Sequence, residues 1–94
     1  MNAPYKIEKK IIITHHAQQR YKERFHKELT QDIVREFMIR IVNKQAKFCF
    51  KEKVMEDVDM YSYNLIMDNI PVNLRFKLNK KLNKIIILTL INKE

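Results

Sequence analysis

His15 and His16 stand side by side after a β-branched run, Ile11, Ile12, Ile13 and Thr14, and Arg20 and Arg24 follow His16 at intervals of four residues. On a helix starting after Thr14, positions 16, 20 and 24 turn by only about 40° from one to the next, so an imidazole and two guanidiniums share one side. Like charges at that spacing repel slightly, and a bound phosphate would relieve the repulsion. A helix start attracts anions through its free backbone N–H groups and the positive end of its dipole, and the same field disfavours a protonated imidazole. A general base needs the neutral imidazole, and a guanidinium one turn along can stabilise charge developing on a phosphate. His16 is therefore the candidate base and Arg20 the candidate phosphate clamp. The bland alternative is that the arginines pair with Glu23 or Glu28 and that both histidines merely face solvent.

Other chemistries find less support in the sequence. Cys49 is the only cysteine, which rules out an intramolecular disulfide, and its neighbours Phe48 and Phe50 suggest a strand rather than an activated thiol. No metal site is expected, since His15 and His16 diverge by about 100° on a helix and His26 and Cys49 supply no paired-ligand spacing. The chain contains no glycine. Its turns with positive φ must therefore use Asn, Asp or Lys, and glycine-cradled phosphate loops are excluded, so no nucleotide cofactor is expected.

The 94 residues suit one domain, 1–94, with residues 1–5 expected to be frayed. A chain of this size buries only about 60–65% of the surface its unfolded form exposes, so most apolar residues belong to the core. Nineteen Lys and Arg against eleven Asp and Glu leave a net charge of +8, which points to polyanionic partners or to a solubilising lysine surface. No apolar run is long enough to span a bilayer, and "MNAPYKIEKK" has no apolar stretch to serve as a secretory signal, so the expected location is the cytoplasm.

The elements that must position these groups follow from periodicity. "KIEKKIIIT" is an extended segment ending at Thr14, a good helix N-cap, and a first helix is expected over residues 15–27 with Ala17, Tyr21 and Phe25 as its apolar stripe. Thr30 caps a second helix whose core face is Ile33, Val34, Phe37, Met38, Ile41 and Val42. From Ala46 the period changes to two, with Ala46, Phe48 and Phe50 alternating against Lys47, Cys49 and Lys51. A turn at Glu56 and Asp57 and the irregular "VDMYSYNLIM" follow, where a bulge or an edge position is expected. After the Asp68-Asn69 turn, Ile70, Val72, Leu74, Phe76 and Leu78 alternate against Asn73, Arg75 and Lys77, and "IIILTLI" closes the chain as a central or covered strand. The expected architecture is α+β, with two N-terminal helices packed on one face of a four-stranded antiparallel meander. Arg75, Lys77 and a tyrosine or Thr89 occupy its open face, where a ligand could lie.

"ITHHAQQRYKERF" resembles the signature His-Ala-x-x-Arg-x-x-Glu-Arg, preceded by Ile-Thr or Ile-Ser, of small bacterial and phage toxin-like domains in the barnase–EndoU–colicin–RelE superfamily of ribonuclease folds. His16, Ala17, Arg20, Glu23 and Arg24 each occupy a motif position. "VNLRFKL" and "IIILTLI" are similar to that superfamily's last two strands, with Thr89 where those domains often carry Thr; the glycine usual before those strands is absent here. The resemblance implies metal-independent RNA cleavage, in which a ribose 2′-OH attacks the neighbouring phosphate and leaves a 2′,3′-cyclic phosphate. On that reading His16 is the general base or acid and Arg20 the phosphate clamp. Arg75 is a second clamp from the sheet, and Tyr61, Tyr63 or Thr89 positions the substrate. His15, Arg20, Arg24, Arg75 and Lys77 would contact RNA, with Arg24 also placed to make a structural ion pair. The partners are then RNA and an antitoxin or host protein. The alternative is an inactive relative, such as a phage-type inhibitor, that binds RNA or a host protein and acts by occupation.

Overall fold

A computed structural model of the chain describes residues 10–92; the expected fraying of residues 1–5, and residues 6–9 of the extended segment, fall outside them. The elements run β1 (Lys10–Ile13), α1 (His15–Phe25), α2 (Gln31–Val42), β2 (Lys47–Met55), β3 (Val58–Met67), β4 (Ile70–Asn79) and β5 (Lys84–Asn92). They form one five-stranded sheet in the order β1-β5-β4-β3-β2. The fold is α+β, but the expected four-stranded antiparallel meander is incorrect. The isoleucines before Thr14 form a strand that pairs in parallel with β5, Ile11 opposite Ile85 and Ile13 opposite Ile87. The sheet is therefore mixed. The cause lies in β5, whose isoleucines point to both faces: an apolar strand of that kind favours an interior place in the sheet, and β1 supplies its second neighbour beside β4.

Register divides the sheet into two unlike faces. One carries Ile11, Ile85, Ile87, Leu90, Val72, Leu74, Phe76, Leu65 and Met67, all buried together with Ala17 and Tyr21 of α1, Leu29 of the connecting loop, and Val34 and Phe37 of α2. The stripe expected on α1 is the one observed. On α2 the core face is narrower than its period suggests: Ile33, Met38 and Ile41 pack against the core, but Val42, expected inside, is 77% exposed at the last helical position.

β2 also departs from expectation. Ala46, Phe48 and Phe50 do not share a face, because an irregularity between Phe48 and Phe50 sets Phe48 opposite Tyr63 and Phe50 opposite Ser62. These irregularities fall in β2 and β5, whereas β3, where a bulge or an edge position is expected, lies inside the sheet and pairs regularly with β4. β2 is one of the two edge strands, where such bulges and the lysines at 47, 51 and 53 discourage pairing with another chain.

The helices are seated by polar contacts. Thr14 caps α1, accepting from Ala17 N at 3.2 Å while its hydroxyl donates to Ile87 O at 2.7 Å. Gln18 holds the connection to α2 at two points, donating to Leu29 O at 2.9 Å and accepting from Leu29 N at 2.6 Å. Burial, reinforced by the Asp68 carboxylate, pushes the Tyr21 phenol above its ordinary value and keeps it neutral in the core.

Without glycine, the left-handed positions fall to Lys44, Asp57, Asp68, Asn69 and Asn83, as expected, and also to His26. His26 ends α1 two residues earlier than the sequence suggests, in the left-handed cap conformation with φ 59° and its N–H on Lys22 O. A residue with a Cβ is strained there, so His26→Gly is expected to stabilise the protein by about 0.5–1 kcal/mol, measured as a higher urea midpoint at unchanged slope.

Candidate nucleic-acid interface

The sheet face away from the helices carries the polar groups. Across its centre runs a row formed by Phe50, Ser62, Arg75 and Thr89, one residue from each of β2, β3, β4 and β5. Asn73 and Asn64 lie opposite each other in the next row, with Lys47 beyond Asn64. Arg75 is half-buried. Its Nε donates to Asn73 Oδ1 at 3.2 Å, and its Cζ lies 5.5 Å from the centre of the Phe50 ring, an arrangement in which aromatic and guanidinium attract. Asn73 Nδ2 donates to Ser62 Oγ and to Asn64 Oδ1, both at 2.8 Å, which fixes the amide with its oxygen toward Arg75. Arg75 has no carboxylate partner among the described residues, and its remaining N–H groups have no acceptor. Thr89, directly across the strand pair, has a buried hydroxyl with no hydrogen-bond partner. A buried orphan hydroxyl costs roughly 1–3 kcal/mol. Across the strand pair the Arg75 guanidinium, without a carboxylate partner among the described residues, makes a place where an anion would be held.

The first turn of α1 is held next to this strand. The Thr14 hydroxyl donates to Leu88 O at 3.1 Å as well as to Ile87 O, at the irregularity where Arg75 pairs with Thr89 but Phe76 pairs with Ile87. His15 and His16 are both exposed, and their side chains make no hydrogen bond or ion pair among the described residues. No hydrogen bond joins His16 to Arg75 or Thr89. Arg20 meets Glu23 at 3.7 Å, both half-exposed, so this pairing costs little to break when a stronger anion arrives. Arg24 is half-buried beside the stripe as expected, but it forms no ion pair among the described residues. Lys27 pairs with Asp68 at 3.8 Å.

Tyr61 and Tyr63 do not join the site. Their register places them on the helix-covered face, stacked on Phe76 at 5.4 and 6.2 Å, with Phe48 edge-on to Tyr63. Lys77 does share the face of Arg75, two residues along β4. Ser62 and Asn64 belong to the site but escape a reading of the sequence, because "VDMYSYNLIM" does not alternate and only the β3–β4 register brings them to Asn73. Among the described residues no group of three or more His, Cys, Asp or Glu side chains could hold a metal ion, and no helix is long and apolar enough to cross a membrane. No family model matches the chain, and no curated protein or solved structure gives a significant match.

Proposed function

We propose that this chain binds single-stranded RNA on its uncovered sheet face and cleaves it by attack of a ribose 2′-OH on the adjoining phosphate. The observation that carries the reading is the pair formed by Arg75, half-buried without a counter-ion, and Thr89, whose buried hydroxyl lacks a partner. The net charge of +8 supplies the long-range attraction to a phosphate backbone. In the proposed reaction His16 takes the proton from the 2′-OH, the O2′–P bond forms and the P–O5′ bond breaks. The departing O5′ receives a proton from the same imidazolium or from water, leaving a 2′,3′-cyclic phosphate and a 5′-OH. Arg20, one turn along α1 from His16, holds the non-bridging oxygens as their charge grows, and Arg75 on the uncovered sheet face holds a neighbouring phosphate of the same strand.

The test is RNA binding and turnover by Arg75→Ala and Thr89→Val. Arg75→Ala is expected to weaken binding by roughly 10- to 100-fold, the loss of a charge-assisted contact. Thr89→Val is expected to weaken binding less while holding or raising the unfolding midpoint, since it removes an unpaired buried hydroxyl. Unchanged affinity in Arg75→Ala would overturn the assignment. Tight binding with no cleavage by the wild-type protein would instead favour the inactive relative that acts by occupation.

A further inference from the structure

We propose that the RNA track continues from Arg75 into a basic groove at the end of α2, where Lys47 and Lys44 neutralise further phosphates of the same strand; this rests on the RNA-binding reading above. The groove has a volume of about 640 Å³ and is lined by Arg40, Lys44, Lys47, Asn64, Ile66 and Pro71 among others, with no acidic residue in its lining. Arg40 is engaged, its Nη1 on Ile66 O at 3.2 Å and its Nε on Glu36 at 3.3 Å. Lys44 and Lys47 are exposed and form no ion pair among the described residues. The C-terminal end of α2 places about half a negative charge nearby, which the two free ammonium groups outweigh.

Asn64 connects the two regions. It lines the groove and also accepts from Asn73, which in turn accepts from Arg75. Lys47 lies opposite Asn64 and Asn64 opposite Asn73, so cation, two amides and cation follow one another across three strands. Two residues along β4 and two strand spacings separate Arg75 from Lys47 by roughly 12 Å, too far for one phosphate to bridge. An extended phosphodiester, with sugars over the amides and phosphates over the cations, fits this spacing.

The experiment measures the salt dependence of binding to a non-cleavable 2′-O-methyl oligonucleotide of roughly eight residues, a length within the usual range for single-strand sites. The proteins compared are wild type, Lys44→Gln/Lys47→Gln, and the charge-matched control Lys53→Gln/Lys81→Gln, whose residues lie outside the groove lining. The groove variant is expected to bind about 10-fold more weakly, with the slope of log affinity against log salt reduced by about 1.4, the release expected for two phosphates of a single strand. The control should change affinity by less than about 2-fold. An unchanged slope in the groove variant, or an equal loss in the control, would overturn the proposal while leaving Arg75 in place if Arg75→Ala still weakens binding. No binding by the wild type would remove both this proposal and the reading it rests on.

Discussion

Replacing His16 by alanine is expected to slow RNA cleavage by about 100-fold or more while leaving thermal unfolding nearly unchanged. The two halves of that expectation have separate causes. A positioned general base contributes roughly 10²- to 10⁴-fold, and His16 is the imidazole that shares a helix side with Arg20. The His16 side chain is also exposed and makes no hydrogen bond or ion pair among the described residues, so its removal takes little from the packing. His15→Ala is the internal comparison. His15 is equally exposed but points about 100° away around α1, and its loss should reduce cleavage by no more than a few-fold. Single-turnover cleavage of a short RNA by the two variants, alongside their melting curves, separates the roles. Equal rates for wild type and His16→Ala would contradict the catalytic assignment, and unfolding of His16→Ala would make the residue structural.

The largest effect on stability is expected at Phe37. Its side chain is fully buried, edge-on to Tyr21 with ring centres 6.5 Å apart, and Tyr21 is stacked on Phe25 at 4.4 Å. Phe37→Ala opens a cavity where α2, α1 and the sheet meet, at a cost of about 3–5 kcal/mol. That is a large share of the roughly 5–15 kcal/mol that holds a domain folded. Urea denaturation should show a markedly lower midpoint or no folded baseline. Val42→Ala on the same helix should shift stability by no more than about 0.5 kcal/mol, because Val42 is 77% exposed.

The contrast between Phe37 and Val42 shows what periodicity can and cannot tell. Both occupy the apolar side of the same wheel, and the sequence holds no mark of where the sheet beneath the helix ends. The two helices themselves are legible, since Thr14 and Thr30 are caps whose side chains accept from the N–H three residues on, and Ala17, Tyr21, Val34 and Phe37 recur at helical spacing. The regular alternation of β4 likewise separates Leu74 and Phe76 from Asn73 and Arg75 correctly. What is hidden is long-range pairing. The Thr14 hydroxyl meets a carbonyl 74 residues away, and nothing local to either segment announces that β1 and β5 are neighbours. The irregularities in β2 and β5 carry no glycine to signal them, so the faces of Phe48 and Phe50 are misread. The candidate site suffers in proportion: Arg75 and Thr89 are legible as open-face residues, Ser62 and Asn64 are not, and the tyrosines fall on the wrong side of a strand whose pattern is ambiguous.

The most direct test of RNA cleavage by 2′-OH attack is the chemistry of the product ends. Purified protein would be incubated with single-stranded RNA in the presence of a metal chelator, and the fragments analysed by mass spectrometry. Fragments ending in 2′,3′-cyclic phosphate paired with 5′-OH, and lost when the RNA is replaced by its 2′-deoxy analogue, are the predicted result. Intact RNA, or fragments carrying 3′-OH and 5′-phosphate, would contradict it.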